Sequence, residues 1–310
     1  MSSRRRNSLA APSRQDDMTL QAPPRSPALL RAVRPRQWAK NVLVAAAPLA
    51  AGQLTEAGVL RGTALAFVTF CCAASAIYLI NDVRDVEEDR RHPTKRFRPI
   101  AAGELAPRTA LGLAAVLVVT GLALGFVVAI PLGATVATYL VVQVAYAMGL
   151  KHQPVMDLAA VAAGFLLRAI AGGVASGIHL SPWFLLVASF GSLFMVSGKR
   201  YSEIHTLGAD AGTRRSLEYY SQSYLRFVWS LAASVTIMAY SLWAFGQARA
   251  GGIPWEEMSV APFVLGLLRY AVDIDRGSAG APEDIVFGDR VLQVLGATWV
   301  VLIVLAVSLR

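Results

Sequence analysis

The stretch that decides the fold reads Tyr78-Leu79-Ile80-Asn81-Asp82-Val83-Arg84-Asp85-Val86-Glu87-Glu88-Asp89, and it closes an apolar segment that begins near residue 60. A helix needs ~20 apolar residues to cross ~30 Å of hydrocarbon, and this segment has that length. Its last turns carry acids. Steps of four put Asn81, Asp85 and Asp89 on one helical stripe, with Asp82 beside it. Each like-charged pair on such a stripe costs ~4 kcal/mol at ~4 Å and an effective dielectric near 20. Carboxylates gathered at a membrane boundary call for a cation to offset this, the alternative being a solvated acidic helix end laced with Arg84, Arg90 and Arg91. Hard oxygen donors favour magnesium, which prefers a few carboxylates completed by substrate phosphate oxygens. Asp82, Asp85 and Asp89 are candidate catalytic acids; Asn81, Asp85 and Asp89 are candidate metal ligands, with Glu203 a candidate for a second metal.

Working outward, the same kind of apolar run recurs at roughly 37–53, 60–82, 107–128, 132–149, 154–176, 182–198, 223–246, 258–272 and 290–309. At 55% hydrophobic and 16% charged residues with mean hydropathy +0.50, the 310-residue chain is far more apolar than a soluble domain. The expected fold is all-α: a polytopic membrane bundle of about nine transmembrane helices around a cytoplasm-facing cavity. Residues 1–27, rich in Arg, Pro and Ser, read as a disordered basic tail, which leaves 28–310 as one transmembrane catalytic domain. The adjacent Cys71 and Cys72 lack metal-ligand spacing and read as small packing residues.

Loop charge sets the orientation. The tail through Lys40, the loops 83–108, 150–153 and 273–290, and segment 199–226 together hold 24 Lys and Arg; the opposite side holds Arg61, Arg249 and Arg310. Basic residues stay inside, so the N-terminus and the active site are expected in the cytoplasm and the C-terminus outside a cell (inner) membrane.

The acids are followed by Lys95-Arg96-Phe97-Arg98-Pro99, cations placed to neutralise phosphate oxygens. Arg36, Lys40, Lys151, Lys199 and Arg200 are further candidates, with His152 beside Lys151. Lys199 and Glu203 stand four apart on one face, which suits either a phosphate with a second metal or a plain helix ion pair. Arg168 lies inside the fifth apolar segment on a face shared with Asp157, Gly164 and Gly172, so that face points inward; an ion pair and a cavity lining both fit.

These residues resemble the UbiA-type family of intramembrane prenyltransferases, whose first motif has the form NDxxDxxxD followed by a Lys and an Arg-Pro, as Lys95 and Arg98-Pro99 follow here. The family's second carboxylate motif corresponds to Gly198-Lys199-Arg200-Tyr201-Ser202-Glu203, which holds one carboxylate and two cations. That departure, with Arg34 to Asn41, Gly149 to Gln153, Leu167 to Gly173 and Tyr224 to Trp229, is similar to the branch of the superfamily that transfers 5-phosphoribose from phosphoribosyl diphosphate (PRPP) to a polyprenyl (decaprenyl) phosphate for cell-wall arabinan. The resemblance implies Mg2+ as cofactor, no nucleic-acid partner, and compatibility with a homo-oligomer. It extends the substrate-binding set to Arg36, Gln37, Lys40, Asn41, Tyr78, Lys95, Arg98, Lys151, His152, Arg168, Lys199, Arg200 and Tyr201, with Lys199 also catalytic. The alternatives are a prenyl transfer from prenyl diphosphate to an aromatic or glycerol-phosphate acceptor, or a membrane transporter.

Overall fold

The computed structural model describes residues 26–207, 219–247, 253–279, 285 and 288–309. Most of the basic tail therefore lies outside the described residues, as do Arg214, Arg215, Arg249 and Arg310. After a short α1 (Ala28–Ala32), a 3₁₀ segment (Pro35–Ala45) runs into α2 (Ala46–Ala50). Next come α3 (Ala57–Arg84), α4 (Val86–Arg91), α5 (Pro107–Val128), α6 (Ile130–Met148) and α7 (Met156–Ala175). The chain finishes with α8 (Pro182–Leu207), α9 (Gln222–Gly246), α10 (Trp255–Asp275) and α11 (Arg290–Ser308).

Seven of these helices are long and apolar enough to span a bilayer among the described residues: α3, α5, α6, α7, α8, α9 and α11. The two remaining members of the expected nine are the composite Pro35–Ala50 segment and α10, which carries Pro262 and acids at both ends. Burial separates the wall from the centre. The most apolar window of α3 is 61% buried, that of α5 only 17% and that of α11 11%, so α3 is central and the other two present Val and Leu outward. Sequential helices pack in pairs along the chain, and the 3₁₀ segment wedges between α3 and α7.

That first segment is not the α-helix its hydropathy suggests. Eleven residues of 3₁₀ helix is long for this conformation. It is entered through Arg34, whose φ of 54° is unfavourable for a side-chain-bearing residue directly before a proline. Side chains hold it there. Trp38 Nε1 donates to Ser75 Oγ at 3.0 Å, and Ser75 Oγ donates to the Val33 carbonyl at 3.0 Å. At Gly172 on α7, a Cβ would lie 1.5 Å from the Val44 carbonyl oxygen, so only glycine admits the segment this closely.

Two helices outrun their hydropathy. α8 continues past residue 198 to Leu207, and α10 spans 255–275 instead of 258–272. Both extensions are polar on one side and packed on the other: Tyr201 and Ile204 join the core with Leu225, Tyr270 and Ile274.

Candidate active site

α3 stops where Asp85 leaves helical geometry (φ −93°, ψ 15°), although the i to i−4 backbone bonds Asp85 N to Asn81 O and Asp89 N to Asp85 O persist. Asp82 and Asp89, seven apart and both buried, face the same cation: Arg98 Nη1 donates to Asp82 Oδ1 at 3.1 Å and to Asp89 Oδ2 at 2.7 Å. Asp85 turns to the α6–α7 connection instead, where Lys151 Nζ meets its Oδ1 at 2.9 Å. The expected Asn81–Asp85–Asp89 stripe is therefore not the set brought together; the pair is Asp82 and Asp89. Arg98 reaches them because the loop after α4 folds back, with Arg90 Nε on the Ala101 carbonyl at 3.3 Å.

Arg34, which the spacing of charges gave no reason to single out, completes the cluster. Its Nη2 donates to both carboxylate oxygens of Asp82, at 2.5 and 2.8 Å, and its guanidinium lies 5.1 Å from the centre of the Tyr78 ring. The signal available in sequence was Arg34-Pro35, a proline following an arginine at the head of the first apolar run. Backbone strain held by a carboxylate contact is characteristic of functional sites. Arg34→Lys keeps the charge and loses the planar guanidinium that lies over the Tyr78 ring. It is expected to lower turnover roughly tenfold, ~1.4 kcal/mol, in an initial-rate assay.

The donor set suits a hard divalent cation. Among the described residues no three His, Cys, Asp or Glu side chains converge as a closed cage. Magnesium does not need one, since substrate phosphates complete its shell. Two buried carboxylates that already share a single cationic nitrogen form such an open edge.

Comparison with known proteins decides the family. A sequence model of the UbiA prenyltransferase family matches residues 42–289. The chain belongs to that family. A decaprenyl-phosphate phosphoribosyltransferase of Corynebacterium glutamicum is 50% identical over 302 residues, covering 94% of this chain and 91% of that protein. A protein of the same name from Mycolicibacterium smegmatis is 53% identical over 285 residues, covering 88% of this chain and 90% of its own. Among solved structures, a UbiA homolog from Archaeoglobus fulgidus bound to DMAPP and Mg2+ matches with TM-score 0.70 at 16% identity, over 91% of this chain and 100% of that one. The fold is thus that of UbiA prenyltransferases, and the chain is a multi-pass membrane protein.

The family's second motif region is built differently from the sequence expectation. Glu203 pairs with Arg200 (Nη1 to Oε2, 2.8 Å), and Lys199 forms no ion pair among the described residues. Arg200 is buried, with its Nε 3.4 Å from Oδ2 of the fully buried Asp157 on α7. Tyr220, just before α9, donates its hydroxyl to Asp157 Oδ1 and accepts the Val155 N–H at 2.6 Å. Burial first, then the bond to Asp157, pushes the Tyr220 phenol far above its ordinary value, so it remains a neutral donor. Arg200 is thereby committed to two carboxylates and is not presented as a phosphate ligand. Tyr201 is likewise turned away: it is buried among α8, α9 and α10, donating to Asp275 Oδ1 at 3.3 Å and accepting from Arg226 Nη2 at 2.8 Å. One residue's rotation of ~100° about α8 separates these roles. Lys199, half-buried, is the member of the trio left facing neither network.

Arg168 is buried as its face predicted, without a carboxylate among the described residues. It donates to Asn41 Oδ1 (2.7 Å), the Gly164 carbonyl (2.6 Å) and Tyr139 Oη (3.1 Å), and its guanidinium lies within 6.0 Å of the centres of Phe70, Tyr139 and Phe165. Asn41, fully buried, also donates to Cys71 Sγ at 3.2 Å. Asn41 and Arg168 thus serve each other and tie the 3₁₀ segment to α6 and α7; of the two readings open for Arg168, the ion pair is not formed among the described residues, and neutral acceptors and ring faces meet it instead. Of the remaining candidates, Arg36 and His152 are exposed, while Gln37, Lys40, Tyr78 and Lys95 are partly buried at the same end of the bundle.

Proposed function

We propose that this chain transfers 5-phosphoribose from phosphoribosyl diphosphate to a polyprenyl phosphate and releases diphosphate, at the cytoplasmic face of the cell membrane. The observation that carries the reading is half-identity, along nearly the whole chain, to proteins named decaprenyl-phosphate phosphoribosyltransferase. The product is a lipid-linked phosphopentose of the kind that cell-wall arabinan requires. The charge asymmetry of the loops supports the placement: the acids, Arg34, Arg98 and Lys151 all occupy the bundle end that carries most of the basic residues.

In this reading the carbon–oxygen bond between C1 of the ribose and the diphosphate breaks as positive charge grows on C1. Asp82 and Asp89 would hold magnesium, with Asn81 and Asp85 as further oxygen donors, and the ion would supply charge stabilisation for the departing diphosphate. Lys151, beside Asp85, and Lys95, in the 3₁₀ turn before Arg98, would neutralise further phosphate oxygens. Arg36, Gln37 and Lys40 stand on the 3₁₀ segment as further donors to phosphate oxygens, and Lys199 on α8 is the cation for the ribose 5-phosphate. The acceptor is a lipid phosphate, already anionic at neutral pH, so no side chain has to remove a proton. Arg200, held between Glu203 and Asp157, positions α8, and Arg168 with Asn41 positions the first segment.

The deciding experiment is a radiolabelled ribose-transfer assay on purified protein with phosphoribosyl diphosphate and decaprenyl phosphate, run beside prenyl diphosphate with 4-hydroxybenzoate. Transfer only in the first mixture, lost on chelation, is the expected result. Prenylation of the aromatic acid would overturn it. Lys199→Ala is expected to raise the KM for phosphoribosyl diphosphate roughly tenfold, equivalent to ~1.4 kcal/mol, with the KM for the lipid unchanged. An effect confined to the lipid would reassign that cation.

A further inference from the structure

We propose that Arg98 is an exchangeable counter-cation: its guanidinium holds the place between Asp82 and Asp89 that a divalent metal takes, and once displaced it becomes a ligand of the diphosphate. This rests on the metal-assisted reading above and adds an order to it.

The geometry carries the idea. One nitrogen of Arg98 contacts a carboxylate oxygen of each acid, at 3.1 and 2.7 Å, and both acid side chains are 3% exposed. A single positive centre between two buried carboxylates is the position a bridging cation occupies. Arg98 itself is 30% exposed and stands on extended backbone (φ −65°, ψ 142°) between a 3₁₀ turn and Pro99, outside any helix. It has room to swing; Asp82 and Asp89, fixed on helical turns, do not. Arg34 grips Asp82 through both oxygens from another direction and keeps that acid in place when Arg98 leaves.

Charge balance supplies the driving force. Two carboxylates and two guanidiniums, those of Arg34 and Arg98, form a neutral group, which offers a divalent cation no net attraction while all four stay together. Releasing Arg98 makes the site anionic toward the metal. The occupied site is then cationic toward a phosphate, with the freed guanidinium beside it and its fork matched to phosphate oxygens. Metal and diphosphate therefore favour each other's binding through this residue, and by linkage the effect is reciprocal.

The test uses Mn2+ as the probe, followed by electron paramagnetic resonance on the purified full chain in detergent, together with equilibrium dialysis of radiolabelled inorganic diphosphate. Without diphosphate, Arg98→Gln is expected to bind Mn2+ ~10-fold more tightly than the wild type, because its competitor is gone; such a factor lies in the usual range of site-to-site couplings. With Mn2+ present, the same variant is expected to retain diphosphate ~10-fold less well. Unchanged or weaker Mn2+ binding in a folded Arg98→Gln protein overturns the exchange while leaving the metal site standing. If Arg98→Gln loses its monodisperse elution, Arg98→Met decides: its neutral, unbranched side chain also removes the competing charge, so Mn2+ affinity rises, and no rise overturns the proposal. Absence of Mn2+ binding to the wild type, with or without diphosphate, overturns both the exchange and the metal-assisted reading beneath it.

Discussion

Asp89→Asn is expected to reduce ribose transfer by a factor of a thousand or more, which corresponds to ~4 kcal/mol of lost transition-state stabilisation. The amide matches the carboxylate in size, so the buried turn of α4 that carries it stays packed. What disappears is one of the two negative charges that share Arg98. A neutral oxygen holds a divalent cation weakly, and preorganised charge at the departing diphosphate is commonly the largest single contribution to such catalysis. Asp82→Asn should be equally severe, because Asp82 is the partner in that pair. The measurement is initial-rate transfer at saturating magnesium, with thermal unfolding recorded on the same sample. Activity within tenfold of the wild type in a folded Asp89→Asn protein would remove the carboxylate pair from the chemistry.

Gly172→Ala should be the most damaging single methyl in the described part of α7. The added carbon would lie 1.5 Å from the Val44 carbonyl oxygen and 2.6 Å from its carbon, atoms of backbone that cannot rotate aside. The 3₁₀ segment must shift bodily, which moves Asn41 away from Arg168 and leaves a buried guanidinium short of an acceptor. Overpacking alone costs ~1–3 kcal/mol, and the lost bond to a charged group adds a further ~1.5–3 kcal/mol. The expected result is a large drop in melting temperature in detergent and a loss of activity out of proportion to the fraction unfolded. Gly112→Ala on α5 is the control, since nothing lies within 4 Å of its added carbon. There the better helix propensity of alanine should leave stability unchanged or slightly higher. Equal behaviour of the two variants would show that the first segment is not held by close approach to α7.

Much of the architecture was legible in the chain itself. Apolar runs of spanning length mark the bundle, and the loops between them collect the basic residues on one side, because hydrocarbon tolerates neither unpaired backbone nor charge. The NDxxDxxxD stretch and the cations after it marked the candidate site, and the run of motifs from Arg34 to Trp229 identified the family. Hydropathy misread helix ends where a helix is polar on one side: Lys199 and Arg200 look like the exit of a span, yet α8 continues to Leu207 because Tyr201 and Ile204 pack inward.

Partnership was decided only by the tertiary structure. Spacing by fours joined Asp85 to Asp89, but Asp89 shares Arg98 with Asp82, two helical turns back, and Asp85 pairs with Lys151, 66 residues away. Arg34 meets Asp82 across 48 residues, and Arg168 meets Asn41 across 127. A chain's local periodicity states which side chains share a face of one helix. It carries no information about which cation another part of the chain brings to that face, and that choice sets which carboxylates share a counter-charge.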